Sequence, residues 1–355
     1  MSFHLPLLAH IFVAVCACAA VCGQNSISTP DRQMLLKKKT ALLRYLESIG
    51  DDPQKVISGE MYLDDETWGK LKEVSGKTPA LMGIDYCRDW GLKPSENAAQ
   101  AIQWKKLNSL AIAHWNAGGL VRVICHFPNP TRENFGGLRD NTPETVNTQA
   151  ILTSGTPERA RWHALLGEVA NGLLDLNAHG VIPIFGPLHE SNINAFWWGR
   201  LTFTPEQQAA LWKDVFNFFQ TRGIVAVWLN AQDHGPPIRE GAWVDECIDL
   251  GGLDIYTREK AHNFGLIKEK YDWLLSKKKP FILSESGAYQ PGNKKDADGS
   301  YNCAELLRQI RAHTPKAAAF MFWCYQFSSA KSQNLKGLLD DKNVLTLGEV
   351  AYEGR

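Results

Sequence analysis

Two glutamates are placed where a chain can do acid–base chemistry. The strings Gly186-Pro187-Leu188-His189-Glu190 and Phe281-Ile282-Leu283-Ser284-Glu285-Ser286-Gly287 each read as a buried strand that delivers a carboxylate at its C-terminal end. The first follows Val181-Ile182-Pro183-Ile184-Phe185 and precedes the aromatic run Ala195-Phe196-Trp197-Trp198-Gly199. The mouth of a parallel strand is where barrel enzymes keep their chemistry. Two carboxylates from different strands, beside aromatic surface, point to cleavage of a sugar polymer. One carboxyl group protonates the leaving oxygen, because an alkoxide leaves poorly, and the other meets the oxocarbenium-like carbon. If the two stand about 5 to 5.5 Å apart, the second attacks directly and the anomeric configuration is retained. Singly, either glutamate reads as a helix-start charge; the pair beside the aromatics favours catalysis.

The elements that must hold such a pair alternate along the chain. Apolar strand patterns fall at 56–59, 80–84, 120–125, 181–188, 224–229, 253–256, 280–284 and 318–323. Amphipathic helical periodicity fills 33–49, 98–117, 157–178, 205–221, 243–250, 264–276 and 303–312. Eight short apolar strands, mostly separated by helices, predict a parallel sheet closed into a single-domain (β/α)8 TIM barrel. No Gly-rich phosphate turn follows the first strand, which counts against a dinucleotide-binding fold. The irregular stretch 128–154, rich in Asn, Thr, Pro and Gly, reads as a loop on the catalytic rim. Asp233-His234 and Asp51-Asp52 read as loop polar groups, and Lys277-Lys278-Lys279 as a solvated turn on the opposite face.

Lys+Arg and Asp+Glu total 38 each, a formal net charge of +0. That balance argues against nucleic acid, which needs a strongly cationic face, and suits a neutral polysaccharide. Residues 1–23 contain no Asp, Glu, Lys or Arg and are largely apolar, with small residues near Val21-Cys22-Gly23. They read as a signal peptide, leaving 24–355 as a secreted, extracellular catalytic unit that starts at Gln24. The rival reading, a membrane anchor, is short for a bilayer and interrupted by His4 and His10, so no membrane association is expected after signal removal. Cys16, Cys18 and Cys22 leave with the signal. Cys87, Cys125, Cys247, Cys303 and Cys324 remain, an odd set without metal-ligand spacing, read as buried thiols with room for one disulfide of unassigned pairing.

With these residues in place the chain resembles glycoside hydrolase family 26, retaining barrel enzymes best known as endo-β-1,4-mannanases. The resemblance rests on Pro187-Leu188-His189-Glu190 running into Trp197-Trp198-Gly199, on Ser284-Glu285, and on Gly83-Ile84-Asp85-Tyr86, in matching order over about 56–325. It implies Glu190 as acid/base and Glu285 as nucleophile. It further implies sugar contacts from His126, His189, Trp198 and Trp323, and a Tyr256 that hydrogen-bonds the nucleophile. Taken alone, the two histidines read equally as structural residues, and Tyr256 and Trp323 as core aromatics. The chain departs from the family at Gly186, where many members have Arg, at Ala195, where many have Trp, and at Cys324, where some mannanases have Arg. A lost aromatic wall and guanidinium change what the cleft grips. The expected activity is hydrolysis of internal β-1,4 links of mannan, glucomannan or galactomannan, by a monomer with no metal or organic cofactor. A β-1,3-1,4-glucanase, a β-1,3-xylanase or a catalytically inactive sugar-binding protein stay as alternatives.

Overall fold

The structure, a computed structural model, describes residues 29–86, 104–257, 264–288 and 301–354. The expected signal peptide, Cys87 and the start of the 98–117 helix lie outside them. Helix α1 (Thr29–Asp51) leads into β1 (Val56–Ile57) and β2 (Gly59–Met61), then α2 (Asp65–Ser75), β3 (Leu81–Asp85), α3 (Trp104–Asn116) and β4 (Leu120–Ile124). Next come α4 (Thr148–Leu152), α5 (Pro157–Ala178), β5 (Ile184–Gly186), α6 (Pro205–Gln220), β6 (Val227–Asp233) and β7 (Leu250–Thr257). The chain ends with α7 (Lys268–Ser276), β8 (Phe281–Ala288), α8 (Cys303–His313), β9 (Ala317–Phe322), α9 (Leu335–Asp340) and β10 (Val344–Leu345).

Strands β2 to β9 pair in parallel in sequence order, and β9 returns to β2 through Phe322 and Glu60, so the ring closes on eight strands. This is the expected (β/α)8 barrel in one domain. β1 is the lower part of the first strand. Beyond its end, the Ser58 hydroxyl donates to the Leu345 carbonyl at 2.7 Å, and β10 pairs alongside. Helix α1 buries Leu35, Leu42, Leu46 and Ile49. Its Lys39 pairs at 2.6 Å with Asp249, just before β7, which sets α1 at the N-terminal end of the barrel, away from the strand mouths. Inside the ring a Cβ on Gly83 would lie 2.6 Å from the Met61 sulfur and 2.7 Å from that of Met321. Only glycine lets those two side chains fill the interior there.

The elements differ from the sequence reading where proline and polar residues intervene. The fourth strand of the ring is regular only over Ile184–Gly186, because Pro183 and Pro187 lack the N–H that a ladder needs. The helix expected at 243–250 is absent: single 3-10 turns occupy Glu240–Ala242 and Asp245–Cys247, and β7 begins at Leu250. Pro236-Pro237 and Gly241 leave too few residues before that strand to repay helix nucleation. β6 runs on past the apolar run through Asn230, Ala231, Gln232 and Asp233. Cys125, Cys247, Cys303 and Cys324 are buried and unbridged, so the possible disulfide is not made among the described residues. No helix of the described residues is long and apolar enough to cross a membrane.

Candidate active site

The C-terminal ends of the strands bring the candidate residues together. Asp85 ends β3, His126 lies two residues past β4, His189 and Glu190 follow β5, Asp254 and Tyr256 lie on β7, Glu285 on β8, and Trp323 follows β9. Glu190 sits at φ +50°, a left-handed conformation that costs a residue with a Cβ about 1–2 kcal/mol. The surroundings fix it. Its N–H donates to Ala231 on β6 at 2.9 Å, and its carbonyl accepts from Ile193 at 3.1 Å. Two residues on, the Asn192 amide donates to the Asp233 carbonyl and accepts from the Asp233 N–H, both at 2.8 Å. The loop that carries Glu190 is thereby clasped to the end of β6.

Glu190, Asp254 and Glu285 are all buried, and one oxygen from each lies within 4.8 Å of the others. Arg122, a fully buried guanidinium from the middle of β4, donates to Glu285 Oε1 at 3.1 Å and to the Ser284 carbonyl. The Tyr256 hydroxyl donates to Glu285 Oε2 at 2.8 Å. The Ser284 hydroxyl donates to Asp254 Oδ1. Three like charges at this separation with one cation cannot all persist in a buried site. Burial pushes the Glu190 carboxyl well above the usual range, and Asp254, Glu285 and Asp233 push it the same way against Arg122 alone. Asp254 is raised well above its ordinary value, first by burial and then by Glu285. Burial raises Glu285 as well, but Arg122 and the Tyr256 hydroxyl pull against it. The arrangement can therefore keep protons on Glu190 and Asp254 and a negative charge on Glu285. Three such oxygens would also suit a cation, but protonation removes the excess charge without one.

The histidines form the wall beside this cluster. His126 Nδ1 lies 2.7 Å from Asp85 Oδ2, which sets its proton on Nδ1. Burial, followed by Arg122 and Arg139, holds the imidazole well below its ordinary pKa. His189 is likewise held neutral by burial, His126 and Arg122. The two rings meet edge to face at 4.6 Å, with Trp323 at 5.9 Å from His126. The structure thus gathers Glu190, Glu285, His126, His189, Tyr256 and Trp323. Trp198 is a correction. It is fully buried, its indole N–H donates to the His189 carbonyl at 2.8 Å, and its ring stacks on Phe196 at 4.6 Å. It stands behind His189 and not on the cleft surface, because a large ring with a satisfied N–H packs best inside.

Sequence reasoning missed Arg122 and Asp254, although each is a charge inside an apolar strand pattern, Leu120-Val121-Arg122-Val123 and Leu253-Asp254-Ile255. A charge in a buried strand needs a partner, and that was the available signal. Asp233-His234, read as loop polar groups, lie beside the site: Asp233 faces Glu190 electrostatically, and His234 Nδ1 accepts from the Tyr256 N–H at 3.4 Å.

The profile of glycosyl hydrolase family 26 matches residues 29–349. A Bacillus subtilis protein named mannan endo-1,4-beta-mannosidase is 30% identical over 290 residues, covering 79% of this chain and 76% of the relative. "Mannan endo-1,4-beta-mannosidase A and B" of Caldalkalibacillus mannanilyticus is 26% identical over 344 residues, 92% of this chain and 63% of its own length. The crystal structure of the YdhT protein from Bacillus subtilis superposes with a TM-score of 0.76 at 25% identity, covering 88% of this chain and 93% of that one.

Proposed function

The chain belongs to glycosyl hydrolase family 26, and from that membership we propose that it hydrolyses internal β-1,4-mannosidic links with retention of configuration. The observation that carries the proposal is the pair of buried glutamates on opposite sides of the barrel mouth, in reach of one another and served by opposite environments. An oxygen of each glutamate lying within 4.8 Å of an oxygen of the other supports the close spacing of retaining enzymes, about 5 to 5.5 Å. The mannan preference is supported by the names of the relatives.

In the proposed mechanism the Glu285 carboxylate attacks the anomeric carbon while the Glu190 carboxyl proton passes to the glycosidic oxygen. The C–O bond to the leaving sugar breaks, and a glycosyl ester with Glu285 forms. Glu190, now ionised, takes a proton from water as that water's oxygen attacks the same carbon and releases Glu285. Arg122 and Tyr256 hold the two Glu285 oxygens in place. Asp254, protonated, leaves Glu285 as the charged member of the cluster. His126 and His189, neutral, offer the sugar hydroxyls donors and acceptors, and Trp323 offers its ring at the cleavage point.

Release of reducing ends from β-1,4-mannan, barley mixed-linkage glucan and β-1,3-xylan under one condition tests the substrate. Mannan is expected to be cut fastest, and cleavage of either other polymer with mannan untouched would overturn the assignment. We also propose residues 1–23 as a signal peptide of an exported enzyme, on their apolar, charge-free composition. N-terminal sequencing of the exported protein should begin at Gln24, and retention of 1–23 would refute it.

A further inference from the structure

We propose that Tyr325 is a sugar-stacking residue at a subsite beyond the cleavage point, on the side of the substrate that stays attached to Glu285. Among the described residues, Tyr325 is the one Phe, Tyr or Trp that is exposed, at 46%. It lies two residues past Trp323 at the mouth of β9, with φ +58°. A bulky side chain in that left-handed region is an outlier, and glycine or asparagine would fit the turn better.

The turn that presents it is fastened on three sides. Cys324, before it, is buried, and its carbonyl accepts from the Phe327 N–H at 3.2 Å. Phe327, after it, packs its ring 4.9 Å from that of Tyr256, and fits only because Gly287 has no Cβ, which would lie 2.7 Å from it. Beneath, the buried Glu60 of β2 accepts from the Ser329 N–H at 3.1 Å and from the Ser329 hydroxyl at 2.6 Å. A turn so anchored has paid its backbone ordering entropy before any ligand arrives.

The side of the substrate follows from the ring order. β9 lies four strands from β5 in either direction round the eight-strand ring, directly across from Glu190. The leaving sugar departs toward Glu190, so the β9 mouth faces the sugars that remain bound. The fitting ligand is the apolar C–H face of a pyranose in a β-linked chain, which packs flat on an aromatic ring.

This inference rests on the glycoside-hydrolase reading. Its test compares kcat/KM of wild type, Tyr325→Ala and Tyr325→Trp on manno-oligosaccharides of two to six sugars, with melting as control. Loss of one aromatic contact should lower kcat/KM by about 3- to 10-fold on chains long enough to reach the ring. The shortest substrates should change less than about 2-fold, Tyr325→Trp should keep the length dependence, and hexasaccharide cleavage by Tyr325→Ala should shift along the chain. Equal kcat/KM at every length, or an equal fall at every length, would overturn it. Should Tyr325→Ala melt low, Tyr325→Gly removes the ring and suits the backbone. If wild type cuts barley-glucan oligosaccharides in place of mannan, the mannan assignment fails and the same comparison on those oligosaccharides decides Tyr325. If it cuts neither, the enzyme reading fails, and retention in native gels containing each polymer decides: weaker retention of Tyr325→Ala supports the site, equal mobility refutes it.

Discussion

Glu190 and Glu285 carry the same functional group, lie within one cluster and differ in their neighbours. Glu285 meets a guanidinium and a phenolic hydroxyl, whereas Glu190 meets the charges of other carboxylates. The pH profile should follow from that difference. Glu285 must be ionised, so kcat/KM falls as pH drops through the lower titration of the pair. Glu190 must be protonated, so kcat/KM falls as pH rises through the upper one. Glu190→Ala should slow polymer cleavage by about 10²- to 10⁴-fold, lose less in forming the glycosyl-enzyme from an aryl glycoside with a good leaving group, and lose the alkaline limb. An unchanged alkaline limb in that variant would remove Glu190 from the acid's role. At this scale the sequence showed the two glutamates because each ends an apolar run. It hid Arg122 and Asp254 because their partners come from other strands, which pair with them only once the barrel closes.

At the scale of elements, the first and last barrel strands depend on a buried acid. Glu60 faces away from Met61 on β2 and is tied to the loop after β9, and burial pushes its carboxyl from the ordinary 4.5 to about 8 against the pull of Ser328 and Ser329. The sign follows from proton counts. Between about pH 4.5 and about 8 the folded chain holds a proton on Glu60 that the unfolded chain has lost, so stability declines as pH rises through that window and levels off above it. Glu60→Gln keeps the shape and removes the titration, so its melting temperature should fall less across the window than that of wild type. Parallel Tm–pH curves would mean that Glu60 does not titrate there. The strands themselves were legible as apolar runs, and α5 was legible to its ends, Pro157 and Ala178, because Thr156 caps it and a proline opens it. The 243–250 segment misled because Trp243, Val244, Cys247 and Leu250 have helical spacing, yet Val244, Cys247 and Leu250 are buried from the link between two 3-10 turns, from the second turn and from a strand start, with Trp243 only partly covered.

Over the whole molecule, closure of eight parallel strands gathers the reactive residues into one mouth. Side chains from β4, β5, β7, β8 and β9, spread over some two hundred positions of sequence from Arg122 to Trp323, meet because strand order follows chain order round the ring. That regularity made the barrel legible from alternation alone, while the left-handed turns at Glu190 and Tyr325, set by contacts across strands, had no local sequence mark. The central claim is that Glu285 and Glu190 together perform a retaining cleavage of mannan. The most direct test is a proton NMR time course of mannohexaose digestion, read before mutarotation equilibrates the products. The β-anomer of the new reducing end should appear first and the α-anomer follow slowly; initial release of the α-anomer, or no cleavage of mannohexaose, would contradict the account.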